Sequence, residues 1–270
     1  MSLMHDIRKA CEIAKRTVLD NLELSSEKTG EMNPFGDETL LLDKRAEDAA
    51  VEIFLESNTG YSILTEERGL IQPRNRTEYL AIIDPIDGST NLERGIPLCC
   101  IGISVVPITD SMTTDDIEIS VIDSFFTDEC YIAQKGKRAT RNGKPIHPSS
   151  GVTSQNAIIS YDTKKSWKGE FGKQSLKTIE QVYDVRRSGA NLLDLCWTAS
   201  GSLDAMLDLR NILPIVHVSG THMVIEAGGY VVDQKGDRMC YPIEMNQKMS
   251  FVAAADEDLA RKLLDSFNQV

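Results

Sequence analysis

The chain has 270 residues, of which 41% are hydrophobic and 26% charged, and its formal net charge is −12 at pH 7. This length and apolar content predict an ordinary soluble globular protein with a substantial core. The negative charge and the lack of a lysine or arginine block argue against nucleic acid and membrane surfaces as partners. Six cysteines without paired zinc spacing predict reduced thiols and a cytoplasmic protein.

Helices and strands succeed one another through the first half of the chain. Charged residues between regularly spaced apolar ones predict helices over residues 4–23 and 43–56, with a polar, mobile loop over 24–38 between them. Apolar runs predict strands at residues 61–65, 80–83, 98–108, 117–122 and 130–134. The longest near-apolar run, 98–108, is well short of the roughly 20 residues that a membrane helix needs.

A linker-like P-S-S-G stretch at residues 148–151 predicts a boundary between an N-terminal half, 1–150, and a C-terminal half, 151–270. In the C-terminal half, strands are predicted at 157–161, 203–209, 230–233 and 250–254, and helices at 174–181, 189–200, 215–227 and 257–267. This succession favours an α+β chain in a layered αβαβα arrangement, with both halves in one compact unit.

The end of the 80–83 strand carries an unusual group of residues. Asp84 and Asp87 are separated by a proline and followed at once by Gly88 and two hydroxyl residues. Because Pro85 restricts its own φ and Gly88 allows a close backbone approach, both carboxylates could face one small cation. The alternative is a capped turn in which Asp87 is a helix N-cap.

Three acidic clusters point to metal chemistry: Asp43, Glu66 with Glu67, and Asp84 with Asp87. If the fold brings them together, mutual repulsion requires cations at the site. Oxygen ligands favour Mg²⁺ or Mn²⁺ over zinc, and paired ions about 3.5–4 Å apart are a common device for displacement at phosphorus. Backbone N–H groups and hydroxyls of residues 88–90 can hold the phosphate oxygens.

These residues make the chain resemble the inositol monophosphatase family, whose superfamily includes fructose-1,6-bisphosphatases. Residues 65–67 resemble the family's G-E-E, residues 84–91 resemble D-P-I-D-G-T-T-N, and residues 226–229 resemble E-A-G-G. Residues 36–37, 96–97 and 208–210 look more like the archaeal enzymes that hydrolyse both inositol phosphates and fructose bisphosphate. The resemblance implies the layered sugar-phosphatase fold, a small phosphorylated metabolite as substrate, and a homodimer.

The resemblance also implies roles for individual residues. The implied metal ligands are Glu66, Asp84, the Ile86 carbonyl and Asp87. The implied catalytic residues are Glu66 and Ser89, which orient the attacking water, and Asp43, which helps to activate or retain a further, looser metal. The implied substrate contacts are Asp87, Gly88, Ser89 and Thr90 around the phosphate, and Gly189, Ala190 and Asp208 around the alcohol.

One position departs from the family pattern. His217 stands where the family has the aspartate that completes the second metal site. As a ligand, an imidazole favours Mn²⁺, Zn²⁺ or Fe²⁺ over Mg²⁺. Alternatively, His217 is a spacer in a weakened site. Nearby His222 is predicted to be a packed or surface histidine.

Several readings stay open at this point. Arg187 and Arg210 suit a second phosphate of the substrate, or else structural ion pairs. The favoured function is a Mg²⁺-dependent phosphatase that acts on inositol 1-phosphate, fructose 1,6-bisphosphate or both. The runners-up are a 3′-nucleotidase acting on adenosine 3′,5′-bisphosphate and a catalytically impaired homologue that binds phosphorylated metabolites.

Overall fold

A computed structural model describes residues 2–73, 76–164 and 169–269. Its helices are α1 (Leu3–Leu19), α2 (Leu41–Glu56), α3 (Ser89–Glu93), α4 (Gly169–Glu180), α5 (Asn191–Ala199), α6 (Val218–Ala227) and α7 (Glu257–Asn268). Its strands are β1 (Lys28–Met32), β2 (Glu38–Leu40), β3 (Tyr61–Thr65), β4 (Gly69–Ile71), β5 (Tyr79–Asp87), β6 (Cys100–Pro107), β7 (Ile119–Ser124), β8 (Cys130–Gln134), β9 (Ala139–Arg141), β10 (Lys144–Pro145), β11 (Ile158–Tyr161), β12 (Asp184–Arg186), β13 (Ala205–Pro214), β14 (Tyr230–Asp233) and β15 (Lys248–Ala254).

Two sheets and three helix pairs form five layers. An eight-stranded sheet has the order β10-β9-β8-β7-β6-β5-β3-β4, and a five-stranded sheet has the order β12-β11-β13-β15-β14. Helices α1 and α2 cover the first sheet, α5 and α6 lie between the sheets, and α7 with α4 covers the second. The predicted αβαβα arrangement is therefore confirmed. The predicted linker, residues 148–151, lies in sequence between the strands of the two sheets.

The predicted mobile loop over residues 24–38 is wrong, because it contains β1 and the start of β2, which pair antiparallel. The side-chain oxygen of Asn33 accepts hydrogen bonds from the backbone N–H groups of Phe35 and Asp37, at 3.1 and 3.0 Å. Gly36 has a φ of +90°, which few other residues adopt. These contacts close the β1–β2 turn. Its polar composition suggested a loop because an exposed two-stranded ribbon needs no apolar alternation.

Other differences lie at the ends of elements. Helix α1 ends at Leu19 rather than at residue 23. At this end the N–H of Asp20 donates hydrogen bonds to the carbonyls of Arg16 and Val18. The predicted strand 203–209 begins at Ala205 and continues to Pro214, with a register shift after Asp208. Sequence periodicity also missed the short strands β4, β9, β10 and β12, which are too brief to show alternation.

The described part of the chain contains no helix with the length and hydropathy needed to cross a bilayer. His222 is a packed core residue, as predicted: it is 5% exposed, and its Nδ1 lies 2.8 Å from the hydroxyl of Ser120.

Candidate active site

The parallel pairing of β3 and β5 builds the acidic floor of the site. Thr65, the last residue of β3, is in register with Ile83 on β5. Glu66 follows directly, so it lies beside Asp84 at the same sheet edge. Parallel strands place their carboxyl ends together, which explains why residues 18 positions apart in sequence meet here.

Strand β5 does not stop at Ile83 but runs on to Asp87 through an irregular stretch. Its pairing with β6 shifts register between Asp84 and Asp87. An irregularity of this kind re-aims side chains that would otherwise alternate between the faces of the sheet. Helix α3 begins immediately after Gly88, whose φ is +96°. The alternative, a capped turn with Asp87 as the helix N-cap, is therefore wrong. Asp84 and Asp87 instead lie at the end of a strand, and their carboxylates converge.

Three predicted ligands form a compact cluster. Nε2 of His217 lies 3.3 Å from Oδ2 of Asp84 and 3.9 Å from Oδ1 of Asp87. One ligand atom from each residue lies within 4.8 Å of the other two, and all three residues are buried. His217 reaches this point because it directly precedes α6, which packs between the two sheets. The fold thus places His217 at the predicted second metal site.

The cluster is electrostatically costly without a cation. Burial raises the pKa of Asp84 well above its usual range, and the charges of Glu66 and Asp87 raise it further. Burial likewise raises the pKa of Asp87 to about 7, although the backbone N–H of Leu192 donates a 2.5 Å hydrogen bond to it from the start of α5. The negative charges of Glu66, Asp84 and Asp87 repel one another strongly because the site is buried.

The same acids fit a divalent cation. Neither carboxylate oxygen of Asp84 accepts a hydrogen bond within the described chain, and both are buried. Burial lowers the pKa of His217 to about 4, so its imidazole is neutral and can donate a lone pair near pH 7. Buried acceptors without donors are rare in proteins unless an ion or water satisfies them. The residues present therefore suit a cation bound between Asp84, Asp87 and His217.

Glu66 and Asp43 lie beside this cluster and line the same pocket of about 540 Å³. Asp43 is in the first turn of α2, where the helix dipole favours a negative charge. Even so, burial and the charge of Glu67 raise the pKa of Asp43 to about 8. The charge of Asp43 in turn helps to raise the pKa of Glu66, after burial and the charge of Glu67. The Asp43 carboxyl is thus poised to exchange protons near neutral pH, and the pKa of Glu66 is raised by the same causes of burial and neighbouring charge.

Residues 88–90 line the pocket at the start of α3. The hydroxyl of Ser89 donates a 2.9 Å hydrogen bond to the Ile86 carbonyl, which holds the side chain next to the carboxylates. A Cβ added to Gly88 would lie 2.7 Å from the carbonyl oxygen of Leu98 and 3.3 Å from the Cβ of Ala190. Position 88 therefore needs glycine for space as well as for its φ.

Another part of the pocket lining is a network of ion pairs that contains Arg187 and Arg210. Asp162 binds Arg187 at 3.0 Å and Arg210 at 2.9 Å. Arg210 also donates two hydrogen bonds to Asp208, and its side chain is only 4% exposed. Of the two readings open from the sequence, the structure shows the ion-pair arrangement for both arginines.

Two predicted substrate contacts are not at the pocket surface. Asp208 is completely buried behind Arg210, which occupies both of its carboxylate oxygens. Ala190 is also completely buried, since it packs against the backbone at Gly88. The neighbouring residues Gly189 and Asn191 line the pocket instead.

Glu47 is a buried glutamate that the sequence did not single out, and it stabilises the turn after β3 that contains Glu66. Glu47 on α2 is 0% exposed; it accepts a 2.8 Å hydrogen bond from the backbone N–H of Glu67 and pairs with Arg68 at 2.8 Å. The Glu67 carboxylate in turn accepts a hydrogen bond from the hydroxyl of Thr39 on β2. These bonds connect α2, the turn after β3 and the β1–β2 ribbon.

Sequence reasoning also missed residues that other elements bring to the pocket: Asn33, Phe35, Asp162, Lys164 and Lys248. An acid directly after a strand could have indicated Asp162, because β11 ends at residue 161 and runs parallel to β13. No local pattern marks Lys248, which simply opens a strand.

Comparison with known proteins agrees with this geometry. The model of the inositol monophosphatase family matches residues 4–270. A fructose-1,6-bisphosphatase/inositol-1-monophosphatase from Methanocaldococcus jannaschii is 31% identical over 236 residues, which cover 86% of each chain. An inositol-1-monophosphatase from Mesorhizobium japonicum is 28% identical over 232 residues, covering 85% of this chain and 82% of the relative. A crystal structure of an inositol monophosphatase-fructose 1,6-bisphosphatase superimposes with a TM-score of 0.84 at 29% identity and covers 98% of this chain and 100% of its own.

Proposed function

Because this chain belongs to the inositol monophosphatase family, we propose that it is a metal-dependent phosphomonoester hydrolase acting on a small sugar or inositol phosphate. The observation that carries the proposal is the convergence of Asp84, Asp87 and His217 in a pocket that also contains Glu66 and residues 88–90. The substrates are inositol 1-phosphate, fructose 1,6-bisphosphate or both, which are named in the relatives' activities.

Different groups of residues have different roles in hydrolysis. Divalent cations would be held by Glu66, Asp84, Asp87, His217 and the Ile86 carbonyl, and their positive charge would lower the pKa of water and offset charge at phosphorus. The backbone and hydroxyls of residues 88–90 bind the phosphate oxygens.

The attacking water is oriented by Glu66 and Ser89, and its proton passes to a carboxylate. Asp43 lines the same pocket, where it would help to hold a further cation or accept a proton in its ionised form. As the water oxygen bonds to phosphorus, the ester P–O bond breaks on the opposite side, and the leaving oxygen takes up a proton from solvent and departs as the alcohol.

We further propose that His217 shifts the preferred ion from Mg²⁺ towards Mn²⁺. A neutral imidazole removes one negative charge from the ligand set that the family builds with aspartate, and nitrogen ligands suit Mn²⁺ and Zn²⁺ better than Mg²⁺. The close approach of Nε2 to Asp84 supports a ligand role.

A substrate panel tests the proposal. Purified protein is assayed for phosphate release from inositol 1-phosphate, fructose 1,6-bisphosphate, adenosine 3′,5′-bisphosphate and an aryl phosphate, each with Mg²⁺, Mn²⁺ and Zn²⁺. We expect turnover of at least one sugar or inositol phosphate, and highest with Mn²⁺. The matched control is Asp84→Asn, which keeps the shape of the side chain but removes its charge. No release with any combination contradicts the proposal, and turnover confined to the nucleotide replaces its substrate class.

A further inference from the structure

Lys248 lies in the pocket wall next to the acidic cluster, although no sequence pattern marks it. It opens β15 and is in register with Pro214 on β13, three residues before His217. Its Nζ lies 4.6 Å from the centre of the Phe35 ring, which the β1–β2 turn carries to the same pocket. A cation from the C-terminal half and an aromatic ring from the N-terminal half therefore meet beside the proposed metal site.

Most other cations of this pocket are already neutralised. Carboxylates hold three of them in ion pairs: Arg187 and Arg210 with Asp162, and Lys28 with Glu38. Within the described residues, Lys248 and Lys164 have no carboxylate at ion-pair distance. Lys164 is exposed and follows Asp162 in sequence. Among the residues described, Lys248 is thus a pocket cation that no ion pair neutralises, and the charge of Glu66 acts on it.

Acidic groups of the pocket act on the charge of Lys248, and Lys248 acts on His217. Partial burial lowers the pKa of Lys248, whereas the charges of Asp37 and Glu66 raise it. Its charge also acts on His217. A fixed positive charge here opposes the binding of a metal cation at His217 and Asp84. The same charge would attract an anion that is bound beside the metal.

We propose that Lys248 binds the substrate's phosphate group directly, and that the Phe35 ring positions its ammonium. This proposal rests on the proposed phosphatase function. An ammonium group is a compact charge with three donors, which suits the non-bridging oxygens of a phosphate. The cation–π contact with Phe35 restrains a long side chain without using up its charge. Lys248 thereby offsets charge that the phosphate brings into an acidic pocket.

The test uses two ligands of opposite charge. Calorimetry measures inorganic phosphate binding at saturating Mn²⁺ and, separately, Mn²⁺ binding without phosphate. For Lys248→Met we expect phosphate affinity to fall roughly tenfold to a hundredfold, the loss of one charge-assisted contact. We expect Mn²⁺ affinity to stay the same or rise, because a repelling charge has gone. General damage to the site weakens both ligands together, so this split separates binding from structural support.

Two further variants keep the test decisive if Lys248→Met folds poorly. Lys248→Arg preserves the charge and should keep most of the phosphate affinity. Phe35→Leu preserves apolar volume but removes the ring, and it should weaken phosphate binding by about twofold to fivefold.

Three results overturn the role of Lys248. They are unchanged phosphate affinity in Lys248→Met, parallel loss of both ligands, and a Lys248→Arg variant as weak as Lys248→Met. Each leaves the proposed function standing if the wild-type protein releases phosphate from the substrate panel. A wild-type protein that releases none overturns the proposed function itself.

Discussion

Removing divalent cations is expected to make the protein less stable as the pH rises. In the metal-free protein, burial is the main cause that raises the pKa of Asp43 to about 8 and that of Asp87 to about 7. In the unfolded chain both carboxyls ionise near the ordinary value of 3.8. The folded protein therefore keeps protons that the unfolded chain has lost, and its free energy of unfolding falls until both groups ionise.

The size of the effect follows from these pKa values. Between about pH 6.5 and pH 8, ionisation of Asp43 and Asp87 lowers the free energy of unfolding by about 2.4 kcal/mol. The buried His217 and His222, with pKa values lowered to about 4, oppose this by about 0.8 kcal/mol, because their unfolded forms lose protons near 6.5. Asp84, whose pKa burial also raises, acts in the same direction as the other two acids. The net loss of about 1.6 kcal/mol corresponds to about 3 °C in melting temperature.

Thermal unfolding at the two pH values, with EDTA and with Mn²⁺, measures the effect. We expect the melting temperature in EDTA to fall with pH, and Mn²⁺ to raise it more at the higher pH. The matched control is Asp43→Asn, which removes the larger of the two contributions and should flatten the pH dependence in EDTA. A metal-free melting temperature that stays constant or rises over this range refutes the reasoning.

Three other substitutions test the site. Asp84→Asn should lower phosphate release at least about 100-fold. It should also raise the melting temperature in EDTA, because it relieves repulsion in the buried cluster. Equal activity or lower stability contradicts this prediction. His217→Asp should lower the ratio of Mn²⁺ to Mg²⁺ affinity at least about tenfold by calorimetry, and an unchanged ratio argues for the spacer reading. Gly88→Ala should cost about 1–3 kcal/mol of stability in denaturant unfolding, because its φ is +96° and its Cβ would meet the Leu98 carbonyl; a neutral result shows that the backbone shifts freely.

Much of the site was predictable because its residues are close in sequence. Asp84, Asp87 and the glycine and hydroxyls that follow lie within eight positions, so one strand end and one helix start suffice to bring them together. Glu66 could be added because it also follows an apolar strand, and neighbouring parallel strands share an edge. Local patterns of this kind survive folding because they depend on backbone geometry over a few residues.

The sequence by itself determined the layered α+β architecture, the family and the acidic floor of the site. Only the tertiary structure decided what surrounds that floor. It brought His217 to Asp84 across more than a hundred residues, neutralised Arg210 with two carboxylates, and left Lys248 with its charge beside Phe35. The physical reason is that a charged side chain acts according to its partners in space, and long-range packing, which no local periodicity records, chooses those partners.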